Sequence, residues 1–184
     1  MDGYLRELAK YGANLVPMSK VSVQTGTSHG GTPTADGHVA EVKLDFAVLK
    51  AIGEVARSRY GLSGAVQHGA STLPDDLFDR FPAAECAEIH LATGFQNMLY
   101  DGGFLPDDLK AAMYKWLDEN CADEKKAGMT DEQFHYKTRK KAYGPFKQQL
   151  FELPADKKHA YVEALEEKFH FLFDKLGMKG TRAV

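Results

Sequence analysis

Two histidine–glycine pairs stand out as chemistry: Ser28-His29-Gly30-Gly31 and Gln67-His68-Gly69-Ala70-Ser71. Imidazole is a common zinc ligand, and a catalytic zinc keeps one position open for substrate. A glycine beside each histidine lets backbone N–H groups approach an anion closely. A third segment, Ala92-Thr93-Gly94, could offer backbone amides and the Thr93 hydroxyl to a phosphate. Taken singly, each of these is better read as a polar loop; two His-Gly pairs at equivalent strand ends bring the two readings level. Their interest lies in what precedes them.

Each of the three follows a strand candidate. Val21–Thr25 places Ser22 and Gln24 on one face and the valines on the other. Residues 64–68 and 87–91 are the second and third short strands. The spacing predicts a helix over residues 1–16, with Tyr4, Leu5, Leu8 and Tyr11 on one side and Gly12 and Pro17 ending it. A Gly/Thr/Ser/Pro loop runs from Gly26 to about Gly37. Asp45 caps a helix to about Tyr60, with Phe46, Leu49, Ile52 and Val55 inward and Gly61 as its stop. Pro74, Asp75 and Asp76 open another helix. Strands alternating with helices predict parallel βαβ units, in which the loops after strand C-termini build the site. Polar residues mid-strand, Gln24, Gln67 and His90, suit the interior of a barrel whose upper layer faces a polar site.

After Gly103 only helices are predicted. One opens at Pro106 with Leu109, Met113, Trp116 and Leu117 on one face. A second carries a capping box at Thr130 and Gln133. The last opens at Pro154, with Tyr161, Leu165, Phe169, Leu172, Phe173 and Leu176 inward. The expected division is therefore 1–104, an α/β segment, and 105–184, a helical extension.

The chain has 184 residues, a net charge of −3 and a pI near 6.2, which argues against a nucleic-acid partner as the default. No apolar run approaches the ~18 residues of a membrane span, and charge comes too early for a signal peptide. Cys86 and Cys121 form no CxxC pair. A cytoplasmic protein with neither nucleic-acid nor membrane partners is expected. The length is short for a (β/α)8 barrel, which takes about 250 residues.

Gly26-Thr27-Ser28-His29-Gly30, then Leu44-Asp45-Phe46 and Leu49-Lys50-Ala51-Ile52, then His68-Gly69-Ala70-Ser71, then Ile89-His90-Leu91-Ala92-Thr93 resemble, in order and spacing, the last three βα units of class II fructose-bisphosphate aldolases. The likeness covers roughly residues 15–100. Arg139-Lys140-Lys141 and Gly144-Pro145-Phe146-Lys147 also resemble the C-terminal helical part of longer members. The resemblance implies the C-terminal part of a TIM barrel, about three parallel βα units, followed by a helical extension. It implies a lyase that cleaves a ketose bisphosphate reversibly to dihydroxyacetone phosphate and an aldehyde, with Zn2+ or another divalent metal as Lewis acid. His29 and His68 would be metal ligands. Gly30, Gly69, Ser71 and Thr93 would cradle a phosphate. The full-length protein would be a homo-oligomer.

Three departures accompany the likeness. The usual HGGSG reads His68-Gly69-Ala70-Ser71-Thr72, and the extra Cβ atoms predict a different loop shape. The family's substrate-touching Asn is His90, which either contacts substrate or is a barrel-interior histidine. The adjacent Asp-His pair that supplies the family's acid/base group and one zinc ligand is missing. The expectation is thus a C-terminal portion of an aldolase, with no catalytic residue identified in this chain. The alternative is a noncatalytic module that keeps phosphate or metal affinity and acts as a subunit. The basic cluster Lys137, Arg139, Lys140, Lys141 and Lys147 is either a solvated helix face or, through Arg139, a second phosphate contact. His38, His135, His159 and His170 are expected at the surface.

Overall fold

The computed structural model describes residues 1–12, 15–26, 34 and 44–181. The fold is mixed α/β. Strands β1 (Val21–Ser22), β2 (Ala65–Gln67) and β3 (Glu88–Ile89) form one parallel sheet in the order β1-β2-β3. Ser22, Val66 and Glu88 stand in register across it. All three strands are shorter than predicted. Beyond Gln67 the chain turns at once into the Gly69 loop. At Thr25, a side-chain bond to Gln67 and a backbone bond to Asp45 take over from the ladder.

Helix α1 (Asp2–Ala9) stops well before residue 16. It buries none of its residues, and Tyr11 and Val16 are 81% and 91% exposed. Periodicity without a layer to cover does not prolong a helix. Helix α2 (Phe46–Tyr60) follows the prediction closely. Asp45 accepts from the Ala47 and Val48 N–H groups at 3.0 Å, and Gly61 ends the helix at φ 65°. Its buried stripe is Leu49, Gly53 and Ala56. Val55 was expected inward but is half exposed, because it lies about 100° around the helix from Ala56. Gly53 brings α2 down on β2: a Cβ there would sit 3.6 Å from the Ala65 nitrogen.

The helix predicted from Pro74 is two pieces, a 3-10 turn over Asp75–Leu77 and α3 (Arg80–Ala83). Pro82 lacks an N–H and is tolerated only in a first turn, so the helix must start just before it. Phe78 and Phe81 are nonetheless fully buried. Helix α4 (Thr93–Asp101) then begins directly at the Thr-Gly pair.

The remainder is helical, with no strand among the described residues after Ile89. Helices α5 (Asp107–Asn120), α6 (Asp131–Thr138), α7 (Lys147–Phe151) and α8 (Ala155–Lys175) make one element more than expected. The Thr130–Gln133 capping box is present in both directions. No helix among the described residues is long and apolar enough to cross a membrane.

Two buried clusters result. One joins Leu49, Ala65, Phe78 and Phe81 with Leu172 of α8. The other joins Leu99 and Tyr100 of α4 with Met113, Leu117, Phe134 and Ala142. Two helices therefore cross the boundary drawn at residues 104/105: α4 buries its end in the helical cluster, and α8 returns to the α/β cluster. Of the predicted stripe on α8, Leu172 is buried. Phe169 and Phe173 are 44% and 50% exposed; Phe169 stacks on Phe95 at 5.2 Å, and Phe173 lies tilted against Phe169 at 6.1 Å.

Burial in the helical cluster pushes the Tyr143 phenol up to about 12, and Tyr100 shifts the same way. An unfolded tyrosine ionises near 10. Between those values the unfolded state loses protons that the native state keeps, so stability falls as pH rises. Urea midpoints should hold steady up to about pH 10 and drop from there toward pH 12. Tyr143→Phe should flatten part of that slope, and an unchanged slope would place this phenol in solvent.

Candidate functional site

His68 leaves the C-terminal end of β2 half-buried. Its ring lies 4.3 Å, centroid to centroid, from that of His90, which leaves β3. Neighbouring parallel strands thus deliver two imidazoles side by side. His90 Nε2 bonds the Glu88 carboxylate two residues upstream on the same strand face. Lys20, at the entry to β1, pairs with that same carboxylate. Hydrogen bonds from Lys20 and then His90 hold the Glu88 carboxyl below the usual carboxylate range.

Gln67 does not join this group. It shares its face with Ala65 and Ile89, which pack in the core, and it is fully buried. Its Oε1 accepts from Thr25 Oγ1 at 2.6 Å, and its Nε2 donates to the His68 carbonyl. The barrel-interior reading of Gln67 is corrected accordingly: a buried amide on the helix side is tolerated because its polar atoms are engaged.

After His68 the chain needs a left-handed residue, and Gly69 supplies it at φ 70°. Ala70–Thr72 form a 3-10 turn. Glu85 is the one non-glycine with positive φ among the described residues, so Ala70 and Thr72 lie in ordinary backbone. Their Cβ atoms impose no strain on the loop. Ser71 Oγ accepts the Ala92 N–H at 2.7 Å, tying the loop after β2 to the head of α4. Gly94 permits that approach: a Cβ there would meet the Ser71 carbonyl oxygen at 2.9 Å. Thr93 opens α4, whose first N–H groups and positive dipole end suit an anion. The Thr72 hydroxyl, next to Ser71, is buried without a hydrogen-bond partner among the described residues.

The structure thus gathers His68, Gly69, Ser71, His90 and Thr93 at the C-terminal ends of β2 and β3. His29 and Gly30 lie outside the described residues, as does His38. Among the described residues no group of three metal-ligating side chains forms. A cleft of about 520 Å³ opens on the helix side of the Ser71–Gly94 contact, with Asn97, Glu167 and Lys168 on its walls.

Arg139 is elsewhere, and it is not on a solvated face. It is 4% exposed, with Nη1 2.9 Å and Nη2 3.0 Å from the two oxygens of Asp101 and Nη2 2.5 Å from Asn97 Oδ1. Its guanidinium lies 4.9 Å from the Tyr100 ring centroid and 4.7 Å from that of Tyr136. The lysines around it are exposed, as expected of that cluster. His135 also departs from the surface reading. It stacks on Tyr114 at 4.4 Å and bonds Asp118 at 2.7 Å. Sequence reasoning missed the Glu88–Lys20 pair and the partners of Arg139. The legible signal for the latter was Asn97 and Asp101 four residues apart on one helix face.

Neither a comparison with protein-family models nor a search of the curated proteins finds a match for the chain.

Gly94→Ala tests the contact that assembles these residues. The added methyl cannot coexist with a carbonyl oxygen at 2.9 Å, so the loop or the helix must move. A loss of about 1–3 kcal/mol in urea unfolding is expected, with amide shifts at Ser71 and Ala92. Wild-type stability and spectra would show that the two segments do not touch this closely.

Proposed function

We propose that the chain forms the metal- and phosphate-binding end of a class II aldolase-like (β/α)8 barrel. The reaction is reversible cleavage of a ketose bisphosphate to dihydroxyacetone phosphate and an aldehyde. One observation carries the reading. His68 and the Gly69–Ser71 loop, the latter joined to the head of α4, sit together at the C-terminal ends of adjacent parallel strands, where such folds build their sites.

The donor chemistry fits zinc in kind. His68 would hold it by an imidazole nitrogen, together with His29, which follows β1 in the sequence. A catalytic zinc takes three protein ligands, so the site needs one donor more than this pair. Zinc supplies, when bound, polarisation of the ketose carbonyl. The chain's own residues orient the substrate. Gly69 leaves room for backbone N–H groups beside a phosphate, Ser71 and Thr93 add hydroxyls, and the α4 dipole favours the negative charge. The His90 ring packs against His68 at a 37° tilt and limits its ring orientation, with Glu88 and Lys20 behind it. No residue of this chain is assigned the proton transfer. A cytoplasmic setting and a homo-oligomer belong to the same proposal.

The test pairs binding with turnover. The chain alone should bind zinc weakly, with affinity falling at least tenfold in His68→Ala, and should release no dihydroxyacetone phosphate from fructose 1,6-bisphosphate. Adding a polypeptide that supplies the catalytic aspartate and zinc histidine of a related aldolase should produce chelator-sensitive turnover. Zinc and phosphate binding with no turnover in that mixture would favour a noncatalytic subunit. Chelator-sensitive turnover by the chain alone would place the base and third ligand among its unassigned residues, His90 first. Zinc affinity unaffected by His68→Ala would falsify the metal assignment.

A further inference from the structure

We propose that Arg139 is a positioning residue that acts through α4, holding the head of that helix against the Ser71 loop from the far end. The proposal rests on the reading of Ser71 and Thr93 as an anion cradle. It replaces a direct role for Arg139 in binding a second phosphate.

The geometry is weighted toward one helix. Asp101 and Asn97 of α4 take three bonds from the guanidinium, two and one respectively, and the Tyr114 hydroxyl of α5 is a further hydrogen-bond partner. The Tyr100 hydroxyl returns a bond to the Arg139 carbonyl at 2.8 Å. Three residues of one short helix thus converge on one residue of the helical layer. A charge this buried is costly unless paired, so the α4 face and Arg139 hold each other in one arrangement. The flanking Tyr100 and Tyr136 rings fix the plane of the fork.

Helix α4 is nine residues long, so a shift at Asp101 is carried rigidly to Thr93, about 12 Å away along the axis. There the tolerance is small. Ser71 Oγ sits 2.7 Å from the Ala92 nitrogen, and Gly94 is as near to Ser71 as a bare backbone allows. The guanidinium's shape matters here more than its charge. A lysine keeps the charge but cannot span both Asp101 oxygens and Asn97 in one plane.

The experiment uses the full chain with Arg139→Lys, Asp101→Asn and, as a purely structural control, Leu150→Ala at the edge of the helical cluster. Amide exchange is followed without ligand, and affinity for inorganic phosphate is titrated by NMR. Arg139→Lys and Asp101→Asn should each speed exchange at Ala92 and the first turn of α4 about tenfold, leave the α2 amides unchanged and weaken phosphate binding at least fivefold. Leu150→Ala should lower the melting temperature while leaving phosphate affinity alone. Tighter phosphate binding in Asp101→Asn would overturn the proposal, because freeing the guanidinium would then have released a direct ligand. Uniformly faster exchange that includes α2, or unchanged phosphate affinity in both α4-directed variants, would overturn it too. If the wild-type chain binds no phosphate at millimolar concentration, the cradle reading falls instead, and exchange alone decides whether Arg139 holds the head of α4.

Discussion

The contact between the Ser71 loop and the head of α4 is the constraint on which the rest of the site depends. It is made of a hydrogen bond at 2.7 Å and a backbone approach that only glycine permits. Neither part is strong alone; a single hydrogen bond contributes roughly 1 kcal/mol net. Its importance is topological. It joins the turn after β2 to the turn after β3, so that groups from two strand ends share one surface. Without it, His68 and Thr93 would be fixed only by their own loops.

Helix α4 converts that local contact into a property of the whole chain. Its first residue stands beside the sheet, and its last turn lies in the helical cluster with Tyr100 fully buried. The helical layer is therefore more than a support attached behind an α/β unit. Arg139 sets where α4 ends, and a rigid helix of this length leaves little freedom over where it begins. Helix α8 closes the circuit from the other side, placing Leu172 in the α/β cluster and Tyr161 against the helical one.

The two sheet faces carry different chemistry. One meets α2 and the Phe78–Phe81 pair and is apolar except for Gln67, whose amide is engaged by Thr25 and the His68 carbonyl. The other has Val66 buried at its centre and presents Ser22, Glu88, His68 and His90 around it, all at least partly exposed. The polar groups on that face are chemically suited to a metal or an anion. Glu88 is drawn both to Lys20 and to His90, which braces the imidazole pair across strands that the backbone ladder joins by few bonds.

The sequence by itself determined what depends on near neighbours in the chain. Asp45 and Gly61 bound α2, Thr130 and Gln133 cap α6, and three strand–loop units run parallel in order. Each of these is decided within a few residues by side-chain capping, glycine φ or strand period. The His-Gly and Thr-Gly turns were legible as candidate site loops for the same reason. What only the tertiary structure decided was how residues far apart share their polar groups. Charge and spacing cannot distinguish Arg139 from Lys140 and Lys141. Packing buries the first against Asp101 and Asn97, about forty residues earlier, and leaves its neighbours in water. Likewise the period of two places Gln67 opposite His68, but only the position of α2 says which face is core. Partnership across long separations is set by the layers that meet there; a local pattern such as Asn97 and Asp101 on one helix face offers acceptors without specifying their donor.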